Sequence, residues 1–324
     1  MSRRSTLRHA LHDAWQLSLA PGLPARWPWP RAWAAWRRLA SRPELYAEAV
    51  AAAAVAAEVV PITDAAAFAR DVRLTWLLDI ADLYRSRRHG LDWWPDAFEV
   101  EGAWPRQGPF VALTFHYGTG LCICRSLRQA GHRNRFLSGR FEAGAFRSRP
   151  LLGRYGRLRL AEVERLGGEP VAYRPRVRAE LLDTLARGSS VIGLVDVPPR
   201  LAPRGQHPVS LLGHRASLPD GLLLLARDAG VPIVPCWVEI DFATGRRRLV
   251  IGAARAPEPV GPALAALAAD LERLVRAQPA AWMFWREWRQ WLQDAATCAA
   301  VDTFSNADAG GRLAPSEPAT GFLA

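Results

Sequence analysis

Between residues 109 and 279 the chain alternates short apolar runs with longer segments of helical spacing. The apolar runs cover 109–115, 189–200 and 231–241, and two shorter strands are expected over 135–141 and 247–254. The helical segments cover 120–131, 177–188, 218–230 and 261–279, and each ends at Gly or Pro. Strands that are apolar along their whole length belong to sheets covered on both faces. The alternation therefore predicts an α/β domain with a largely parallel sheet.

The first 95 residues are predicted to be helical. Residues 64–88 place apolar side chains at helical spacing, and residues 23–43 carry Trp27, Trp29, Trp33 and Trp36 among five arginines. Tryptophan with arginine favours the boundary between a membrane and water, and packing of these rings on the core is the alternative. We therefore divide the chain into a helical, membrane-proximal part (1–95), an α/β domain (96–294) and a flexible tail (295–324).

The formal net charge is +11, and every basic residue other than histidine is arginine. Guanidinium groups bind phosphate in a bidentate manner, so the surface suits phospholipid headgroups, phosphorylated sugars or acidic carrier proteins. The sequence has no RNP-like stretch, zinc module or Walker loop, and we expect no nucleic-acid partner. The four cysteines lack the spacing of a metal site, so no metal is expected either.

No segment reaches the ~18 consecutive apolar residues of a membrane span. The N-terminus has no apolar core followed by a cleavage site, as a signal peptide would. The sequence therefore predicts a cytoplasmic protein that contacts a membrane, if at all, from that side.

Two polar residues follow predicted strands at their carboxyl ends. His116 follows "FVALTF" and precedes Gly118 and Gly120, whereas Asp196 follows "VIGLV". Open α/β sheets bind ligands at this edge, where an imidazole can take a proton from a hydroxyl and helix amides can face an oxyanion. The alternatives are a structural core histidine and a carboxylate that forms a salt bridge or a helix cap.

Four ordered motifs resemble those of the bacterial lipid A biosynthesis acyltransferases, a branch of the lysophospholipid acyltransferase superfamily. They are "FVALTFH" (110–116), "GSSVIGLVD" (188–196), "LLGHRASLPDGLLLLARDAGVPIVP" (211–235) and "PAAWMFWREWRQW" (279–291), within a likeness that covers roughly residues 95–292. The resemblance implies a three-layer α/β/α fold with a helical N-terminus that associates with a membrane.

The resemblance also implies an activity. A fatty acyl group would pass from a thioester donor, acyl carrier protein or coenzyme A, to a hydroxyl of a lipid or glycolipid, with His116 as the general base. No metal or organic cofactor is implied, because the thioester is already activated. The implied location is the cytoplasmic face of the bacterial inner membrane, with peripheral association.

One position departs from the family pattern. The family places a carboxylate after its histidine in the pattern H-x4-D/E, and this chain has Leu121 there. Loss of the orienting acid costs a catalytic histidine orders of magnitude in rate. Either another carboxylate takes the role, Asp196 first and Glu142 second, or His116 works alone, or the fold has lost its chemistry. The last case makes a non-catalytic lipid- or carrier-binding protein the alternative function.

The candidates for contact with substrate are Gly118, Gly120, Arg125, Arg140, Glu142, Gly213, Pro219 and Gly221. The first two would supply oxyanion amides, and the arginines would hold an anionic group, together with the basic stretch at 146–159. The last three would shape the turn of the substrate groove that the resemblance implies. Four tryptophans at three-residue steps, Trp282, Trp285, Trp288 and Trp291, predict a helical aromatic side that packs in the core or faces lipid.

Overall fold

A computed structural model describes residues 3–90, 96–140, 144 and 146–292, with side chains from residue 9 onward. The predicted tail (295–324), the candidate Glu142 and Cys298 lie outside the described residues.

The chain folds into ten α-helices and nine strands over the described residues. The helices are α1 (Arg3–Ala14), α2 (Ala20–Gly22), α3 (Trp29–Ala40), α4 (Ala47–Ala53), α5 (Ala65–His89), α6 (Leu121–Gln129), α7 (Pro150–Gly167), α8 (Arg178–Ala186), α9 (Gly221–Asp228) and α10 (Val260–Ala277). The strands are β1 (Phe98–Glu101), β2 (Val111–Thr114), β3 (Asn134–Ser138), β4 (Ala172–Tyr173), β5 (Ser190–Leu194), β6 (Gln206–Leu211), β7 (His214–Pro219), β8 (Ile233–Ile240) and β9 (Arg247–Ile251). A π-helical turn covers Trp15–Leu19, and 3₁₀ turns cover Pro24–Arg26, Ala54–Glu58, Pro279–Ala281 and Trp285–Gln290.

Seven strands form one sheet in the order β1-β9-β8-β2-β5-β3-β4. Every pairing in it is parallel except that between β8 and β9, and β6 and β7 form a separate antiparallel hairpin. The predicted α/β class with a largely parallel sheet is therefore confirmed, and β2 lies near its centre.

Successive side chains of a strand point to opposite faces, and both faces of this sheet are covered. In β2, Ala112 belongs to one hydrophobic cluster, with α3, α5, α6 and α7, whereas Val111 and Leu113 belong to the other, with α8, α9 and α10. This produces three layers, with helices on either side of the sheet.

Helix α5 begins where Asp64 caps it by accepting hydrogen bonds from the amides of Ala66 and Ala67, both at 2.9 Å. The helix continues for 25 residues and packs against α3, α4, α6 and α7. It therefore ties the N-terminal helices to the layer that covers one face of the sheet.

The N-terminal tryptophans divide between the two expected environments. Trp29, Trp33 and Trp36 are buried, and the indole N–H groups of Trp29 and Trp33 donate to the carbonyls of Thr244 and Ala243 at 3.2 and 2.9 Å. Trp27 is the exception, with 48% of its surface exposed. Among the described helices none combines the length and hydropathy needed to span a bilayer.

Helix α7, the hairpin of β6 and β7, and the short strands β1 and β4 have no counterpart in the sequence prediction. Helix α7 lies in the basic stretch, and its buried side includes Arg159 among apolar residues, which interrupts the apolar spacing expected of a core helix. The hairpin turns at Leu212 and Gly213, both with positive φ (52° and 82°), a geometry typical of a two-residue hairpin turn.

Candidate active site

His116 and Asp196 lie at the same edge of the sheet because β2 and β5 are adjacent and parallel. Thr114 and Leu194, the last residues of these strands, are register partners, and each candidate residue follows its strand by two positions. The two side chains therefore meet although 80 residues separate them in the chain.

Asp196 is fully buried and accepts hydrogen bonds from three donors. The ring Nδ1 of His116 lies 2.8 Å from Oδ1, and the His116 amide lies 3.0 and 2.9 Å from the two carboxylate oxygens. The indole N–H of Trp282 donates to Oδ2 at 3.0 Å. Because a carboxylate only accepts, Nδ1 carries the proton of the neutral ring, and Nε2 carries the lone pair.

A segment after α10 fixes the orientation of the imidazole. The ring of Phe284 stacks on that of His116, with centroids 3.8 Å apart and planes 28° from parallel. The amide of Met283 donates to the His116 carbonyl at 2.9 Å, and the Gly118 amide donates to the carbonyl of Ala281 at 2.9 Å. Both the ring and the backbone on either side of it are therefore held.

Gly118 is required by its backbone geometry. Its φ is +68°, and a Cβ atom there would lie 2.0 Å from the carbonyl oxygen of Val238. Because its amide is engaged by Ala281, Gly118 is not available as an oxyanion donor, which corrects the role expected from the sequence. Gly120 has open space at its Cβ position and precedes α6, so the amides at that helix start are the remaining candidates.

His116 lines a cavity between the sheet and helices α6 and α7. Among the described residues its Nε2 makes no hydrogen bond. Most of the lining is apolar and includes Phe115, Leu121, Phe136, Leu160, Val163 and Ile192. Gly118 and Gly120 line the same cavity, so the structure brings three of the predicted site residues together with Leu121, the residue at the unusual position.

A buried ion pair forms part of the cavity wall. The Arg159 guanidinium donates from Nη2 to Oδ1 of Asp79 at 2.8 Å and from Nη1 to the hydroxyl of Tyr155 at 3.3 Å. Burial raises the pKa of Asp79, and the charge of Arg159 opposes that shift. Sequence reasoning missed both residues. The signal for Asp79 was a carboxylate within the apolar run "LLDIADLY", since a buried charge needs a partner.

The structure does not bring Arg125 to this cavity. Its side chain is buried between α6 and α5 and donates to the carbonyl and hydroxyl of Ser86 at 3.3 and 2.6 Å, which corrects the placement expected from the sequence. Arg140 is exposed, two residues beyond Ser138, which does line the cavity. Arg140 therefore lies near the mouth rather than in the wall.

The residues expected to shape a substrate groove lie elsewhere. Gly213 is at the tip of the β6–β7 hairpin, and Pro219 and Gly221 join β7 to α9. None of the three lines the His116 cavity. The resemblance implied a groove here, but the hairpin packs mainly against α10.

The aromatic box at 282–291 is part of the core. Its four tryptophans are Trp282, Trp285, Trp288 and Trp291. Each is at most 2% exposed, and Trp282 contacts the other three edge-on or tilted, so the rings pack in the core rather than face lipid. Only Trp285 and Trp288 lie in the 3₁₀ turn, whereas Trp282 and Trp291 flank it, so the segment is not the helix that the spacing predicted.

The basic stretch does not form one anion site. Arg149 is buried and paired with Asp13 at 2.5 Å, whereas Arg147 and Arg154 are exposed. Over the described ranges no group of three or more His, Cys, Asp or Glu side chains could hold a metal ion.

Comparison with known proteins gives no match: no protein-family model matches the chain, and no curated protein matches it.

Proposed function

We propose that this protein transfers a fatty acyl group from a thioester donor, acyl carrier protein or coenzyme A, to a hydroxyl of a lipid or glycolipid. The observation that carries the proposal is the pair of His116 and Asp196, 2.8 Å apart, whose histidine lines a mainly apolar cavity. A histidine oriented by a buried carboxylate is the arrangement that activates a hydroxyl in acyl transfer.

In the proposed reaction Nε2 of His116 accepts the proton of the acceptor hydroxyl while its oxygen attacks the thioester carbonyl. Asp196 stabilises the imidazolium that forms. The tetrahedral intermediate then collapses, the C–S bond breaks, and the leaving sulfur takes the proton from the imidazolium. The products are an ester and a thiol, and no oxidant, reductant or further group is needed.

The cavity supports this reaction in two ways. Its apolar side chains suit an acyl chain, because burying an alkyl chain against them stabilises by roughly 25 cal/mol per Å² of apolar surface. The first amides of α6, beside Gly120, are positioned on the cavity where a carbonyl oxygen becomes negatively charged. Asp196 replaces the carboxylate that the family pattern would place at Leu121.

The test is His116→Ala, with His214→Ala on the exposed hairpin as a matched control. We expect the first variant to lose at least ~10³-fold of thioester consumption with a hydroxylated lipid acceptor, and the control to lose none. Free thiol and acylated product are measured together, by a thiol-reactive dye and by mass spectrometry. Unchanged turnover in a folded His116→Ala protein ends the proposal.

A non-catalytic lipid- or carrier-binding protein is the second candidate, favoured by Leu121 in the cavity wall. It requires that wild type and His116→Ala bind acyl carrier protein equally and that neither transfers an acyl group to any acceptor supplied.

The proposed location is the cytoplasmic face of the bacterial inner membrane. Of the five exposed large apolar side chains recorded among the described residues, four lie between residues 11 and 27: Leu11, Leu19, Leu23 and Trp27. Arg26 and Arg31 are exposed in the same region, so apolar insertion and attraction to anionic headgroups act together.

This membrane contact is tested by sedimentation with vesicles of phosphatidylglycerol and phosphatidylethanolamine. The double variant Leu19→Asp/Leu23→Asp is expected to reduce the bound fraction several-fold. Val100→Asp, which changes an exposed apolar residue on the edge strand β1, is the control. Equal loss in both variants, or in neither, contradicts the assignment.

A further inference from the structure

A second cavity lies among the N-terminal helices and adjoins the first. Asp79 and Met283 line both cavities, so the two meet at these residues. Exposed residues, among them Ala47 and Glu48 at the start of α4, form the mouth. The second cavity thus leads from the surface towards the wall that holds the catalytic histidine.

The lining of this second cavity differs chemically from that of the first. It combines the aromatic rings of Tyr46 and Trp76, 6.2 Å apart, with polar groups that have hydrogen-bonding capacity left. Among the described residues, the indole N–H of Trp76 and Oδ2 of Asp79 make no hydrogen bond. Nor do the Gln16 Oε1 atom and the Glu48 carboxylate bond to any described group.

These groups discriminate between classes of ligand. An alkyl chain would leave the carboxylate and amide oxygens desolvated and unpaired, which disfavours its binding here. Among the described lining residues the two basic side chains already lie beside one carboxylate, because Asp13 engages Arg149 at 2.5 Å and lies 4.0 Å from His12, so an anion is disfavoured. A hydroxyl-rich ligand fits, because hydroxyls donate to the carboxylates and accept from the indole, and ring faces pack on its C–H groups.

We propose that the second cavity binds the hydroxyl-rich, polar part of the acceptor, while the first holds the acyl chain of the donor. The inference rests on the proposed acyl transfer and assigns its two substrates to two adjoining cavities. Asp79, at the junction, is then a positioning residue for the hydroxyl that approaches His116.

The experiment measures binding by saturation-transfer NMR, with methyl β-D-glucopyranoside as the hydroxyl-rich probe and octanoate as the alkyl probe. Inorganic phosphate, followed by its ³¹P line width, is the anionic probe. Ala47→Trp fills the mouth from an exposed position, and Ala51→Trp, one turn further along α4 and also exposed, is the matched control. Equal thermal midpoints show that both variants are folded.

We expect the wild type and Ala51→Trp to bind the glucoside and Ala47→Trp to lose at least ~5-fold of the transferred signal, a loss of about 1 kcal/mol in binding. Octanoate binding should be unaffected, because it belongs to the first cavity. The inference is overturned if the glucoside does not bind, if Ala47→Trp leaves its signal unchanged, or if Ala47→Trp abolishes octanoate or phosphate binding instead.

Kinetics separate this inference from the proposed function. With a glycolipid acceptor, Ala47→Trp should raise KM at least ~10-fold, as expected when acceptor binding is lost, whereas Ala51→Trp, outside the cavity lining, should leave both KM and thioester hydrolysis without acceptor unchanged. If His116→Ala abolishes transfer but the glucoside does not bind, the second-cavity inference alone fails. If the glucoside binds as expected but His116→Ala retains full turnover, the proposed function fails.

Discussion

Asp196→Asn separates the catalytic from the structural role of the buried carboxylate. The two oxygens of Asp196 accept hydrogen bonds from three donors, which are the His116 amide, the His116 ring and the Trp282 indole. Asparagine has the same shape, but one of the two oxygens is replaced by an NH₂ group, which donates. If the amide oxygen faces the His116 ring, the NH₂ group opposes the indole N–H of Trp282. If the oxygen faces Trp282, all groups are satisfied, but the NH₂ group donates to Nδ1. The second arrangement is therefore preferred.

In that preferred arrangement Nδ1 must accept, so the proton of the neutral imidazole moves to Nε2. Nε2 then has no lone pair for the acceptor hydroxyl, and the imidazolium loses its carboxylate. The equivalent change in a serine protease lowers kcat by about 10⁴, which is about 5.5 kcal/mol of transition-state stabilisation. Because the hydrogen bonds remain satisfied, we expect the free energy of unfolding to change by less than about 1 kcal/mol.

Two measurements test this prediction. Single-turnover thiol release from the acyl donor gives the rate, and ¹⁵N NMR of the histidine ring shows which nitrogen is protonated. Trp282→Phe is the control, because it removes one donor and core volume but leaves the His116–Asp196 pair, so it should cost stability and keep activity within about tenfold. Activity of Asp196→Asn within tenfold of wild type, with the fold intact, would refute the reasoning.

Three further changes test the cavity. Leu121→Glu should lower the free energy of unfolding by about 3–5 kcal/mol, because it buries an unpaired charge. It should not raise the rate of acyl transfer, since Asp196 already pairs with the imidazole; a tenfold gain in rate contradicts this. Gly118→Ala should lower the free energy of unfolding, measured with denaturant, by about 2 kcal/mol or more, because φ is +68° and the Val238 carbonyl leaves no room for a Cβ atom. Gly120→Ala is the matched control. Its φ is −76° and its Cβ position is open, so this change should alter the free energy of unfolding by less than about 0.5 kcal/mol. Equal effects of the two changes would refute this account. Burial raises the pKa of Cys124 to about 12 from its usual 9.0, which favours the unreactive thiol over the thiolate. Alkylation of Cys124 by iodoacetamide at pH 8 should therefore be about 10³-fold slower in the folded protein than in urea, as measured by peptide mass mapping. Rapid labelling of the folded protein contradicts this.

Part of the site was accessible from the sequence because strand ends carry information. An apolar run that stops at a polar residue marks the carboxyl edge of a buried strand, and this identified His116 and Asp196 as residues at the same edge of a parallel sheet. The same logic failed for Arg125. The side chains of a helix point in several directions, and the sequence of α6 does not show which of its side chains face α5 and which face the cavity.

The sequence did not predict the two charged residues in the wall of the His116 cavity, for a related reason. Asp79 lies on α5 and Arg159 on α7, 80 residues apart, and only their packing makes them partners. Helix α7 was not predicted because Arg159, an arginine on its buried side, breaks the apolar periodicity by which a helix is recognised.

The sequence by itself determined the alternation of strands and helices, the largely parallel sheet and the two polar strand ends, because these depend on patterns a few residues long. The tertiary structure alone decided that β2 and β5 are neighbours in register, that Phe284 stacks on the histidine while Trp282 donates to Asp196, and that two cavities meet at Asp79. These contacts join distant parts of the chain, and their geometry is set by how whole layers pack, which no local pattern encodes.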